Sequence, residues 1–191
     1  MPSNEHVLVV GRTGMLKGMV KHFLERGKLV SVVARNEHTH QQLAVDLSHL
    51  PGNINPIPVD YHDIKSFIHS VTHSINQHGP ISLSVNWIHS YAKEAPYALA
   101  TLLNQTSPDS TYVRLLGSAA AHPDHSFNDH GLFRTTYPYL VYREIILGFI
   151  VEDSRSRWLT HHEICEGIIE KIHVSQARSV IGTVTPWSFR P

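Results

Sequence analysis

A chain of 191 residues with 41% apolar side chains is long enough to bury its own core and too apolar to be disordered. Lysine plus arginine equals aspartate plus glutamate at 16 each, which argues against nucleic acid or an anionic membrane as main partner, since both demand a basic surface. At about 150 residues per domain, the length predicts one domain over 1–191. No apolar run reaches the ~18 residues of a membrane span. The segment from Met1 to His6 has no basic stretch leading into an apolar core, so a cytoplasmic location is expected. The one cysteine, Cys165, cannot form an internal disulfide and is expected to be a buried, inert thiol.

Residues 6–10 are an apolar run ending at Gly11 and read as a buried strand. Met15, Leu16, Met19, Val20, Phe23 and Leu24 then recur at helical spacing, with Gly27 as the helix stop. Residues 28–34 form a second strand, and Leu43, Leu47 and Leu50 mark a second helix stopped by Pro51-Gly52. A short strand over 54–59 leads to Asp60. Ile64, Phe67, Ile68, Val71 and Ile75 make a third helix, ended by Gly79-Pro80. A strand over 81–86 is followed by a helix with Pro96 in its first turn and Ala98, Leu99, Leu102 and Leu103 inward. Residues 111–116 are a fifth strand ending at Gly117-Ser118.

The pattern then changes. Residues 119–136 are polar and read as irregular, and 139–151 read as one extended strand. Thr160 and Glu163 have capping-box spacing before a helix carrying Ile164, Ile168, Ile169 and Ile172. Residues 180–182 read as a last strand. Strands alternating with helices predict an α/β fold: a three-layer α/β/α sandwich on a doubly wound, mainly parallel sheet of about six or seven strands.

The sharpest motif is Gly11-Arg12-Thr13-Gly14-Met15-Leu16-Lys17-Gly18, set between a strand and a helix. A pyrophosphate needs close backbone approach, free amides and the positive end of a helix dipole, and this turn offers all three. With it stand Val32-Val33-Ala34-Arg35-Asn36, Val59-Asp60, Asn86-Trp87-Ile88-His89 and Gly117-Ser118. In order and spacing these resemble the short-chain dehydrogenase/reductase superfamily over about residues 5–120. The resemblance implies a Rossmann fold and a nicotinamide cofactor. It places Gly11, Arg12, Thr13, Gly14, Met15, Leu16, Arg35, Asp60 and Asn86 at that cofactor, and Ser118 at the chemistry.

Three departures qualify it. Lys17 stands where the related glycine pattern has its third glycine, which serves helix–strand packing. Arg35 replaces the acid that binds the ribose hydroxyls of NAD. A guanidinium cannot accept a hydrogen bond but pairs with a 2′-phosphate, so Arg12 and Arg35 point to NADP(H). The family's Tyr-x-x-x-Lys dyad does not occur after Ser118. Its nearest match, Tyr139 and Arg143, would lie ~13 Å apart along a strand, too far to cooperate.

Histidine numbers 16 but is scattered, and His122, His125 and His130 lack a metal-ligand spacing, so no metal is expected. His89 and His122 follow the fourth and fifth strands, where a histidine can exchange a proton near neutral pH. Trp87 reads as core or cleft wall, and Trp158 and Trp187 as packing residues. Two readings stand side by side. The leading one is an NADP(H)-dependent oxidoreductase that reduces a small carbonyl compound with Ser118, His89 and His122. The alternative is a non-catalytic NADP-binding sensor or scaffold. The small-molecule substrate, and whether the chain forms a homo-oligomer, are not fixed by the residues.

Overall fold

The computed structural model describes residues 5–11, 13–124 and 129–191; Arg12 and His125 lie outside the described residues. In chain order the elements are β1 (His6–Val10), α1 (Thr13–Glu25), β2 (Leu29–Ala34), α2 (Glu37–Leu47), β3 (Asn53–Pro58), α3 (Ile64–His78), β4 (Ile81–Asn86), α4 (Ala95–Thr106) and β5 (Thr111–Gly117). A 3-10 turn (Ser118–Ala121) follows, then α5 (Asp129–Thr136), β6 (Val141–Leu147), β7 (Phe149–Glu152), β8 (Arg155–Trp158), α6 (His161–Lys171), β9 (Arg178–Ile181) and a 3-10 turn at Trp187–Phe189.

Seven strands form one parallel sheet in the order β3-β2-β1-β4-β5-β6-β9. Alternate side chains of β1 enter two cores: Val7 and Val9 pack with α1, α2 and α6, while Leu8 and Val10 pack with α3 and α4. Burial on both faces explains why the strands read as unbroken apolar runs. The strand order reverses direction between β1 and β4. In open α/β sheets ligands bind at such a switch point, outside the carboxyl ends of the strands.

Two sequence expectations are corrected. Residues 119–136 are not irregular throughout: Ser118–Ala121 is a 3-10 turn and Asp129–Thr136 a helix, whose Phe133 is buried among Tyr112, Tyr137 and Tyr142. Residues 139–151 are not one strand. The chain leaves the main sheet at Leu147 and enters a separate antiparallel hairpin, β7–β8. The break falls at Gly148, where a Cβ would sit 2.2 Å from the Thr183 carbonyl oxygen.

Gly18 has a role the glycine pattern did not disclose. A Cβ there would lie 2.9 Å from both Cβ and Sγ of Cys165, so this glycine lets α6 cross α1 closely. Cys165 is buried, its Sγ donates to the Met15 carbonyl at 3.1 Å, and burial pushes its thiol pKa up. Lys17 stays at the surface and pairs with Asp46 of α2. The capping box of α6 is formed: Thr160 Oγ1 accepts from the Glu163 amide at 3.2 Å, and the Glu163 carboxylate accepts from the Thr160 amide at 2.8 Å.

At the amino end of the sheet lies a buried polar chain. The His6 ring bonds Gly79 O at 2.9 Å and Ser31 Oγ at 2.7 Å, and Asn55 donates to both Ser31 and Ser74 at 2.9 Å. Because Gly79 O can only accept, Nδ1 carries the proton and Nε2 accepts from Ser31. Burial pushes the His6 pKa below its ordinary 6.5. The unfolded chain therefore takes up this proton first as pH falls through 6.5, and the stability that the neutral ring contributes is lost in that direction. The urea midpoint should fall between about pH 7 and about pH 5. His6→Gln should show a shallower fall; an identical slope would remove His6 from the cause.

Candidate cofactor and substrate site

The carboxyl edge of the sheet is built around Gly11. Its φ is +116°, and a Cβ there would sit 2.2 Å from the Trp87 carbonyl oxygen, so only glycine fits. The Gly11 amide donates to Val33 O at 3.1 Å and the Trp87 amide to Val10 O at 2.8 Å, which ties the ends of β1, β2 and β4 together. Gly14, one residue into α1, is exposed, with nothing within 4 Å of its Cβ position. The first turn of α1 carries no acid, so the positive end of its dipole is not neutralised from within that turn. Thr13, Met15 and Leu16 turn their side chains inward, and their means of meeting a ligand here is the backbone amide.

Beyond β2 and β3 stand Arg35 and Asp60. Arg35 is exposed over 68% of its side chain, with Nη1 3.7 Å from Asp60 Oδ2. Asp60 also accepts from the His62 amide at 3.0 Å and the His62 ring at 2.8 Å. Burial works to raise the Asp60 pKa, but the His62 bonds and the Arg35 charge outweigh it, and the carboxyl lies below its ordinary value.

From Asp60 an aromatic ladder crosses to the end of β4. The Tyr61 and His62 rings stack at 5.4 Å, His62 and Tyr91 at 4.4 Å and 5°, and Tyr91 and His89 at 5.2 Å and 7°. Trp87 meets His89 edge-on at 5.8 Å. Sequence reasoning singled out His89 but missed Tyr91 and the ladder. The available signal was the alternation of aromatic rings at 87, 89 and 91, which puts them on one side of an extended segment. Asn86 is buried, donating to Ser84 Oγ at 3.0 Å and Val113 O at 3.1 Å. Its Oδ1 and the neighbouring Trp87 Nε1 are buried with no hydrogen-bond partner among the described residues.

At the end of β5, Ser118 is only 3% exposed, and its Oγ accepts from Arg190 Nε at 2.8 Å. His122 follows the same 3-10 turn. Its Nδ1 accepts from the Asp124 amide at 3.1 Å, which leaves the proton of the neutral ring on Nε2. The ring meets Trp187 edge-on at 4.7 Å. The structure thus joins Ser118 and His122 through the carboxyl-terminal segment and places His89 in the ladder. Trp187 and Trp158 flank the Arg190 guanidinium at 5.3 and 5.1 Å, a more specific task than packing.

The turn that carries Ser118 is braced from below. Arg178 of β9 donates to Ala120 O at 2.9 Å and sits 3.5 Å from the buried Glu144 carboxylate, which accepts from Tyr142 at 2.9 Å. This network went unread in the sequence, although Tyr142-Arg143-Glu144 inside an apolar run was its sign. Tyr139 and Arg143 do not meet. Tyr139 is exposed ahead of β6, and Arg143 donates to Ile172 O at the carboxyl end of α6. Among the described residues no group of three metal-ligating side chains converges, and no helix is long and apolar enough to cross a membrane.

The seven-stranded parallel sheet and its strand order give this chain the α/β fold seen in short-chain dehydrogenase/reductase structures. A short-chain dehydrogenase/reductase mutant of Serratia marcescens superposes with a TM-score of 0.75 at 12% identity, over 94% of this chain and 97% of that one. A short-chain type enzyme of Mycobacterium marinum gives 0.75 at 13%, over 96% of each chain. A xylitol dehydrogenase solved with NAD+ gives 0.72 at 11%, over 94% of this chain and 98% of that one. No family model matches the sequence, and no curated protein matches it significantly.

Proposed function

We propose that this chain binds NADP(H) along the carboxyl edge of its sheet and reduces a small carbonyl compound beside Ser118. The residues fit a dinucleotide on two observations. Gly14 leaves open space at the positive end of α1, and Asn86 Oδ1 with Trp87 Nε1 offers a buried acceptor and donor that lack partners among the described residues. The pyrophosphate would lie against Gly11, Gly14 and the amides of Thr13, Met15 and Leu16. Arg35, with Arg12, would hold the 2′-phosphate, and Asp60 an amino group of the base. His89, stacked on Tyr91 and met edge-on by Trp87, lines the same side. The resemblance to short-chain dehydrogenases and the NAD+ held by a structural neighbour support a nicotinamide cofactor.

When bound, that cofactor supplies the hydride. The observation that carries the chemistry is the Arg190–Ser118 bond of 2.8 Å. Ser118 Oγ accepts from a cation, so its own O–H is free to donate, and it donates more strongly to a substrate oxygen that gains negative charge. Protonated His122, with the Asp124 carboxylate 3.9 Å from Nδ1, gives a proton to that oxygen and returns to neutral imidazole.

A non-catalytic NADP-binding sensor or scaffold is the second reading. One observation favours it: α5, Asp129–Thr136, has eight residues and no Tyr-x-x-x-Lys.

Calorimetric titration should find NADP(H) bound more tightly than NAD(H). Arg35→Ala should remove about tenfold or more of that preference, the lower end for a charged hydrogen bond, because Arg35 is exposed. Unchanged NADP(H) affinity in the variant would sink the assignment. With a panel of small aldehydes and ketones, Ser118→Ala and His122→Gln should each slow NADPH consumption by ~10²-fold or more. Full activity in both variants would refute the site. Tight NADPH binding with no carbonyl consumed would favour the sensor.

A further inference from the structure

Arg190 was not singled out by the sequence, yet its guanidinium is held against Ser118 at the end of β5. After β9, Gly182 turns the chain with φ +73°, and Thr183 exchanges two backbone hydrogen bonds with Phe149, at 2.8 and 2.9 Å. The segment then runs through Pro186 and the short turn Trp187–Phe189 to Arg190. Three contacts fix the guanidinium: Ser118 Oγ at 2.8 Å and the indoles of Trp158 and Trp187 at 5.1 and 5.3 Å. Trp158 is itself held. Its neighbour Arg157 binds Glu163 of α6 through two bonds of 2.9 Å, which draws the Glu163 carboxyl down to about 2.

Among the described residues no carboxylate lies within 4.0 Å of Arg190, whereas Arg35, Arg157 and Arg178 are each paired with an acid. Closing the segment over Ser118, a neutral acceptor, requires no charge. Nε is spent on Ser118, so the Nη1/Nη2 edge of the fork is left, and that edge matches the two oxygens of a carboxylate. Stacking on aromatic faces holds the fork in one orientation without neutralising it.

We infer that Arg190 is the specificity-determining residue of the site and that the substrate is a 2-oxo carboxylate, reduced to the 2-hydroxy acid. This rests on Ser118 being the reducing site. Ser118 and Arg190 are in contact, so they are placed to hold two groups on adjacent carbons: the hydroxyl takes the ketone oxygen and the guanidinium the carboxylate. The ketone C=O π bond is broken. A hydride from NADPH forms the new C–H bond, a proton from His122 forms the O–H bond, NADPH is oxidised to NADP+, and the carboxylate is unchanged.

Two measurements test this. With NADP+ present, tryptophan emission is titrated with oxamate, a 2-oxo-acid isostere that has no reducible ketone, and with neutral oxamide. Trp158 and Trp187 border the fork, so oxamate should give a saturable change and oxamide none. Arg190→Gln should weaken oxamate by about tenfold to hundredfold, with Arg190→Lys recovering only part. NADPH consumption is then compared for 2-oxo acids and their methyl esters. The wild type should prefer the acids by about tenfold or more in kcat/KM, and Arg190→Gln should erase that acid-over-ester ratio through the KM of the acids, while kcat falls alike for acids and esters because the bond to Ser118 is lost. No saturable change with oxamate, or equal affinity in Arg190→Gln, overturns the inference. So does a wild type that reduces esters as well as acids, although Ser118 then stands as the reducing site. Oxamate held through Arg190 with no 2-oxo acid or ester reduced overturns the reduction and leaves the anion site.

Discussion

The closest approach on which the site depends is that of Gly11 to the Trp87 carbonyl. No side chain fits between them, since a Cβ would stand 2.2 Å from that oxygen. This contact brings the end of β1 against the end of β4 at the point where the strand order reverses. It fixes the turn into α1, and with it the direction of the α1 dipole. It also sets the path of the chain after β4, and therefore where Trp87, His89 and Tyr91 present their rings. Gly11 is thus demanded by the fold itself, and Gly14, with open space around it, is the glycine that a ligand would need.

Much of this was legible in the sequence because parallel strands buried on both faces read as apolar runs. His6–Val10, Leu29–Ala34 and Ile81–Asn86 came out within a residue of their bounds, and the helix after the glycine turn was read from its apolar face. What failed was whatever depends on a distant partner. An apolar run such as 139–151 does not say where it changes sheets. The reason for the change at Gly148 is the Thr183 carbonyl, which only the folded chain brings near. Gly18 looked like part of a phosphate loop, but its neighbour is Cys165 on another helix. Short α5 lay in a polar stretch whose helical signal rested mainly on Phe133, a ring that finds its partners on α4, β5 and β6.

The candidate site divides in the same way. Gly11, Arg35, Asp60, Asn86 and Ser118 follow strand ends and can be read from the strand pattern. Arg190 reaches Ser118 across 72 residues, and no local pattern announces that contact. The same holds for Arg178, which steadies the Ser118 turn from β9 and is itself held by Glu144. The resulting site differs from the dyad of the resembled family. In the proposed site the charge would come from the Arg190 guanidinium on the carboxyl-terminal segment and the proton from the His122 imidazole one turn beyond Ser118. The return of the carboxyl-terminal segment to the end of β5, not helical spacing, brings these groups together.

The central claim is that one crevice holds cofactor and substrate groups together. A crystal structure of the protein grown with NADP+ tests it most directly. The account predicts a pyrophosphate on the α1 amides beside Gly14, a 2′-phosphate on Arg35, and a nicotinamide ring next to Ser118 and Arg190. A cofactor bound elsewhere, or a nicotinamide ring kept from Ser118 by the carboxyl-terminal segment, would contradict it.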